Sequence, residues 1–257
     1  MRLIWSVWFW VATVIVTGGF SSAVVIASLV RVRRSFYSWI ARTWSHWVLR
    51  IGGVTAHLEG EENAPAGKPR IYVSNHQSWF DVWALAAMLP GHHRFVAKKE
   101  LARIPIFGRA WRVAGHICVD RSDRGAAIRS LDDAGRLIRS DGSGVIIFPE
   151  GTRSPDGRLQ SFKKGAFMLA LHTGVDILPV AIIGSRHVLP KGSFTVTPGT
   201  ITIRIGEPIP TGDYTAETRD LLMQRTRDAI GALMAGSPDA QTDGTTVPRR
   251  KHTANID

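Results

Sequence analysis

From Val54 onward, short apolar runs alternate with amphipathic stretches, which is the pattern of buried strands followed by helices. The predicted strands are Arg70–Val73, Arg94–Ala97, Ile117–Val119, Val145–Phe148 and Ile177–Ile183. The predicted helices are Gln77–Leu89, Gly125–Arg139, Gly165–His172 and Thr215–Ala235. Strands that alternate with helices form a sheet covered by those helices. The sequence therefore predicts an α/β fold with a mixed, mostly parallel sheet flanked by helices.

Two further patterns lie towards the C-terminus. Thr195–Thr197 and Thr200–Ile205 are separated by Pro198-Gly199, a pair that is typical of tight turns, so this segment is predicted to be a hairpin. After Gly236 the chain is rich in small and polar residues, which predicts a disordered tail.

The N-terminal segment has a different composition from the rest of the chain. Leu3 to Val30 is a stretch of 28 residues without a charge, and a membrane span needs about 20 apolar residues. A cleaved signal peptide is the competing interpretation, and it is weakened because the stretch is too long and lacks a clear cleavage motif. Because Gly18-Gly19 interrupts it, the segment is either one spanning helix or a hairpin dipping into one leaflet. The arginines of Arg31–Arg34 favour a cytoplasmic location for its C-terminal end.

Ser35 to Ile51 is predicted to be an amphipathic helix. Its apolar residues recur at steps of three and four, and arginines fall between them. Such a helix either lies in the headgroup region of a bilayer or packs on the protein core. The tryptophans and arginines beside an apolar anchor favour the membrane interface.

These patterns divide the chain into three parts. Residues 1–51 are predicted to form a membrane anchor with an interfacial helix, residues 52–236 an α/β domain, and residues 237–257 a disordered tail. Because the anchor precedes every predicted strand, we expect the α/β domain to fold without it.

The charge distribution indicates which partners the chain has. The formal net charge is +11, and the first 58 residues contain six arginines and no Asp or Glu. Six of the nine tryptophans also lie in the first 47 residues. Arginines and tryptophans at the ends of a long apolar stretch are typical of proteins that bind anionic lipids. We therefore expect a lipid bilayer as a partner and no nucleic acid.

The strongest candidate for chemistry is the pair His76 and Asp81. His76 follows the predicted strand Arg70–Val73, at the edge where active sites of α/β folds tend to lie. Asp81 follows one helical turn later, near enough to accept a hydrogen bond from one ring nitrogen. That bond would fix the tautomer and leave the other nitrogen free as a base.

Three more motifs follow along the chain. Gly115–Arg121 is a strand that ends in an acid and an arginine, and Leu178–Val180 lies in an apolar strand. Between them, Phe148–Ser154 forms a sharp loop that exposes a carboxylate, a hydroxyl and a guanidinium. Together with Asn75–Asp81, their order and spacing resemble the four sequence blocks of the glycerolipid acyltransferase family, specifically its bacterial 1-acylglycerol-3-phosphate O-acyltransferases. The resemblance covers about Ile71 to Ile183. Its first and third blocks are specific, whereas His116 and Cys118 of the second block depart from the usual pattern and the fourth block is degenerate.

The resemblance implies a role for each matching residue. His76 would be the general base and Asp81 its orienting partner. The remaining residues would bind substrate, with Arg153 on the acceptor phosphate: Lys98, Arg121, Glu150, Gly151, Thr152 and Arg153. It implies neither a cofactor nor a metal. The acyl chain would lie against apolar residues drawn from two groups: Ile104, Ile106, Phe107 and Trp111, or Trp79, Phe80 and Trp83.

The resemblance implies transfer of a fatty acyl group from acyl-carrier protein or coenzyme A to the sn-2 hydroxyl of a lysophospholipid acceptor, 1-acylglycerol 3-phosphate. Its expected place is the bacterial inner membrane, with the catalytic domain on the cytoplasmic side. Three alternatives stay open. The acceptor would be another lysolipid such as a lyso-ornithine lipid, the protein would bind membranes without catalysis, or it would be a metal-dependent hydrolase.

Overall fold

The fold is a seven-stranded sheet with helices on both faces. The computed structural model describes residues 1–30, 32–65, 67–120 and 124–235, with the backbone alone for 124–132. Its helices are α1 Arg2–Ala27, α2 Arg34–Ile51, α3 Phe80–Met88, α4 Phe107–Val113, α5 Arg124–Asp141, α6 Gly165–Thr173, α7 Ser185–Val188 and α8 Arg219–Met234. Its strands are β1 Val54–Glu59, β2 Ile71–Ser74, β3 His93–Lys98, β4 Ile117–Val119, β5 Gly144–Ile147, β6 Ile177–Ile183 and β7 Gly199–Ile205.

The strand order is β1-β7-β6-β2-β5-β3-β4. Every neighbouring pair is parallel except β6 and β7, which run antiparallel. The prediction of a mixed, mostly parallel sheet is therefore confirmed. The central strands β2, β5 and β6 are buried along their whole length, which explains why they appear in the sequence as continuous apolar runs.

The hairpin prediction is wrong. β7 has no partner in Thr195–Thr197; it pairs with β1 on one side and β6 on the other. The backbone N–H of Val196 donates to the Ser6 hydroxyl at 3.0 Å, and that of Thr197 donates to the Val188 carbonyl at 2.9 Å. Residues of α1 and α7 thus accept the backbone hydrogen bonds of this segment. A turn pattern within the segment does not predict such partners.

The N-terminal segment forms two antiparallel helices against one face of the sheet. α1 is a single helix of 26 residues, so Gly18-Gly19 does not break it. Among the described residues it is the one helix long and apolar enough to cross a membrane, which indicates membrane association. α2 turns back along α1, and the Trp44 indole donates a hydrogen bond to the Thr17 hydroxyl at 3.0 Å.

Residues 1–51 add no strand to the sheet, but they do contribute to its core. Phe9 is fully buried and stacks on Phe80, with 5.4 Å between the ring centroids. Val48 and Leu49 of α2 are buried in the same cluster. We therefore expect the α/β domain to lose stability without this segment, and its ability to fold without residues 1–51 stays a prediction.

α2 combines the two alternatives that the sequence left open. Its buried residues Ile40, Val48 and Leu49 pack on the protein, whereas Trp39 and Trp47 stay more than half exposed, at 59% and 51%. One face of the helix is therefore core, and the other keeps the exposed tryptophans that are typical of a membrane interface.

Candidate active site

The predicted site residues lie at one edge of the sheet. β2 and β5 are parallel neighbours, with Val73 opposite Ile147. Because parallel strands end on the same side, the loops that follow them begin next to each other. The loop after β2 carries His76, and the loop after β5 carries Glu150 and Arg153.

His76 and Asp81 form the predicted pair. The imidazole Nδ1 lies 2.7 Å from Asp81 Oδ2, and this carboxylate has no solvent exposure. The same oxygen accepts backbone N–H groups from Gln77 at 2.6 Å and Ser78 at 2.8 Å. Three contacts therefore fix the carboxylate, and a proton on Nδ1 leaves Nε2 with a lone pair that can take a proton from a substrate.

Asn75 holds the start of this loop in place. Its side-chain amide donates to the Ile182 carbonyl at 2.8 Å, and its carbonyl accepts the Ile182 backbone N–H at 2.7 Å. The Asn75 side chain thus makes the two hydrogen bonds to β6 that a neighbouring backbone would make, one residue beyond the end of β2. This positioning role was not predicted, because Ile182 is far from Asn75 in sequence.

Glu150 lies behind His76 instead of lining an open site. It is only 3% exposed. One carboxylate oxygen accepts the His76 backbone N–H at 2.8 Å, and the other accepts that of Gln160 at 3.2 Å. Burial raises the pKa of Glu150 to about 7, against the two hydrogen bonds that lower it. These hydrogen bonds of Glu150 connect the loops after β2 and β5. The resemblance instead implies that Glu150 contacts the acceptor.

Arg153 is the cation nearest to this network along the loop. Its guanidinium stacks over the Trp79 ring, 4.9 Å from the centroid, which is cation–π geometry. Partial burial lowers the pKa of Arg153, whereas the nearby Asp81 carboxylate raises it. In the described part of the chain no carboxylate forms an ion pair with it, so its N–H edges can bind an anion.

An open cleft of about 460 Å³ lies next to this network. Three of the predicted residues line it, namely Lys98, Gly151 and Thr152, and the other lining residues are Glu100, Val119, Asp120 and Lys163. Gly151 has a φ of +74°, and a Cβ there would lie 2.9 Å from Lys163 Cε. Glycine therefore both permits the turn and lets the lysine pass close to the backbone.

Lys163 was missed by the sequence analysis. Its backbone N–H donates to the Pro149 carbonyl at 2.8 Å, which brings it back over the loop that contains Glu150. In the sequence, its only signal is the pair of adjacent lysines within Phe162–Gly165. Arg121, the remaining predicted cation, lies outside the described residues, as does the tail 237–257.

The apolar residues proposed for the acyl groove separate into buried and exposed groups. Phe80 and Trp83 are core residues, 0% and 8% exposed. Trp79, Ile104 and Ile106 are exposed, at 42%, 48% and 53%.

The chain matches the family model described as Acyltransferase over residues 55–183. It is 40% identical over 173 residues to a 1-acyl-sn-glycerol-3-phosphate acyltransferase from Limnanthes douglasii, which covers 67% of this chain and 61% of the relative. It is 32% identical over 192 residues to the human 1-acyl-sn-glycerol-3-phosphate acyltransferase alpha, which covers 75% and 67%. The chain thus spans about 61% of the length of the plant relative.

A solved structure gives a third comparison. The crystal structure of the 1-acyl-sn-glycerophosphate acyltransferase PlsC from Thermotoga maritima matches with a TM-score of 0.77 and 29% identity. The match covers 91% of this chain and 96% of that one. The family model, the relatives and the solved structure therefore agree, and the chain belongs to the Acyltransferase family.

Proposed function

We propose that this protein transfers a fatty acyl group to the free sn-2 hydroxyl of 1-acylglycerol 3-phosphate and so forms phosphatidate. The observation that carries the proposal is the His76–Asp81 pair, 2.7 Å apart, at the same sheet edge as Arg153 and Lys98. A base next to cations suits an acceptor that has both a hydroxyl and a phosphate. The names of the relatives support the same activity.

The chemistry follows from the free nitrogen of His76. Nε2 removes the proton of the acceptor hydroxyl as its oxygen attacks the carbonyl carbon of an acyl thioester. The thioester C–S bond then breaks, and the leaving thiolate takes the proton from the imidazolium. The buried Asp81 carboxylate stabilises the imidazolium between these steps. Transfer is direct, and the donor is an acyl-carrier protein or coenzyme A thioester.

The phosphate of the acceptor has to bind cations that are not already in an ion pair with a carboxylate. Arg153 offers two parallel N–H donors, which match a phosphate better than a lysine does. Lys98 lines the adjacent cleft, and the family resemblance adds Arg121. Glu150 acts through the backbone of His76, so its proposed role is positioning.

Both the acceptor and the product are lipids, so the site has to open at a membrane. α1 supports this, because its exposed residues are mostly apolar, such as Val7, Val14 and Ile15. Arg33 at the end of the helix pair is exposed and suits anionic lipids on the cytoplasmic side. We propose a cytoplasmic-membrane enzyme on these grounds.

The direct test is a product assay with the purified full-length chain. It uses labelled acyl-coenzyme A or acyl-carrier protein with lysophosphatidate, with a lyso-ornithine lipid, or with no acceptor. We expect labelled phosphatidate only with lysophosphatidate. Release of free fatty acid without acceptor, or transfer only to the phosphate-free lipid, would contradict the proposal.

A further inference from the structure

The loop before α4 contains an unusual backbone conformation. Ile106 has φ 62° and ψ −58°, and the backbone N–H of Phe107 donates to the Pro105 carbonyl at 2.6 Å. This is a tight three-residue turn of the rare, strained kind. Among the residues that the structure describes, Ile106 is the only non-glycine with a positive φ. A β-branched side chain is among the least suited to that conformation.

Packing of the side chain does not explain the strain. Ile106 is 53% exposed and Ile104 is 48% exposed, so neither is held in the core. The turn is nevertheless fixed from behind, because Gly108 packs so closely that a Cβ there would lie 2.3 Å from the Ala102 carbonyl oxygen. The closely packed backbone behind the turn therefore keeps the side chains of Ile104 and Ile106 exposed. Strained positions of this kind tend to be functional.

The turn lies at the level of the apolar middle of α1. The Phe107 ring is 6.1 Å from the Trp44 ring, and the Trp44 indole is bonded to Thr17. Within one helical turn of Thr17, Val14 and Ile15 are 69% and 68% exposed. The exposed apolar surface of α1 and the two isoleucines are therefore at the same level of the molecule.

We propose that residues 104–106, the isoleucine turn, insert into the lipid surface beside α1. The occupant is a bilayer because the turn continues the apolar level of α1 and has exposed arginines on both sides, Arg103 and Arg109. Within the described ranges neither arginine has a carboxylate partner, so both can bind anionic headgroups. The inference rests on the membrane association proposed above.

The place of the turn in the chain links the bilayer to the cleft. Lys98 ends β3 and lines the cleft, and a short 3-10 helix over Lys99–Arg103 leads from it to Ile104. An inserted isoleucine turn would hold this side of the cleft at the lipid surface, where the acceptor arrives.

A labelling experiment tests the insertion in the full chain. Cys118 is the one cysteine, so a Cys118→Ala background allows a single new cysteine at position 106 to carry a fluorescent label. The protein is mixed with phosphatidylglycerol vesicles that contain a spin-labelled lipid quencher. Val14→Cys reports the anchor, and Leu221→Cys is the matched control, because it is 64% exposed on α8 and belongs to the opposite face of the sheet.

We expect the labels at 14 and 106 to be quenched and the label at 221 to stay bright. Quenching at 14 without quenching at 106 would overturn the isoleucine turn while leaving the anchor intact. No quenching at either position would contradict membrane association itself, and the inference with it.

A paired variant separates a lipid role from a role in stability. Ile104→Ser with Ile106→Gly removes both apolar side chains and also relieves the strained φ. We expect an unchanged Tm and a KM that rises severalfold more for acceptor embedded in vesicles than for a short-chain acceptor in solution. A lower Tm would show that the isoleucines stabilise the fold. A KM for embedded acceptor equal to that of the wild type would show that they do not contact lipid.

Discussion

At the residue scale, the two-pronged geometry of Arg153 gives the first prediction. Arg153→Lys keeps the charge but loses both the parallel N–H donors and the stacking on Trp79. We predict a higher KM for lysophosphatidate and a nearly unchanged KM for the acyl donor, measured by steady-state kinetics. An equal change in both constants would instead indicate a structural role.

Lys163 allows a comparison with its neighbour. Lys163 lines the cleft against Gly151, whereas Lys164 precedes α6 and does not line it. If Lys163 contributes to phosphate binding, Lys163→Gln should raise the KM for lysophosphatidate, and Lys164→Gln should not. Both changes remove one charge, so a similar effect of the two would mean that only the overall charge matters.

Glu150 gives a prediction about pH. Its folded pKa of about 7 lies above the ordinary 4.5, so burial favours the neutral form. The stability that it contributes is therefore fully present below pH 4.5 and is lost as pH rises through about 7, by up to roughly 3 kcal/mol. Glu150→Gln cannot ionise. We expect the free energy of unfolding of the wild type to fall relative to this variant across that window, and parallel pH profiles would contradict it.

Part of the site could be predicted from local sequence. His76 and Asp81 are five positions apart, so a strand followed by a helix is enough to bring them together. The partners of Glu150 are backbone N–H groups of His76 and Gln160, which the fold brings together from different loops. The position of Lys163 over Gly151 likewise depends on how a long loop returns, which the residue types do not specify.

At the scale of elements, the buried strands were predicted closely and the edge strand β1 was not. β5 and β6 contain runs of buried aliphatic residues, which a sequence shows directly. β1 alternates buried and exposed positions and was missed, as was the short helix α4. β7 was placed in the wrong pairing because its partner β1 is distant in sequence and its partner β6 is separated from it by α7 and a loop.

The packing of α1 on the domain gives a prediction at this scale. Phe9 is fully buried against Phe80, whereas Val11 on the same helix is 56% exposed. Phe9→Ala should lower the free energy of unfolding by about 3–5 kcal/mol, as expected for a lost core aromatic. Val11→Ala should have little effect in detergent. Equal, small effects in chemical denaturation would mean that α1 does not stabilise the domain.

At the scale of the whole molecule, the two faces of the sheet have different neighbours. One face packs against α3 and the N-terminal helix pair, and the other against α5, α6 and α8. The exposed apolar surface of α1 lies on the first of these faces, which we propose to be the membrane side. The candidate active site lies at the sheet edge between these faces, where we propose that a lipid acceptor and a water-soluble thioester reach His76.

The central claim is that His76 is the base in acyl transfer to lysophosphatidate. The most direct measurement is the rate of phosphatidate formation by the wild type and His76→Ala, with circular dichroism as the control for folding. We predict that the variant folds and that its rate falls by a factor of about 10² to 10⁴ or more, the contribution of a positioned base. Phosphatidate formation at the wild-type rate by the folded variant would contradict the account.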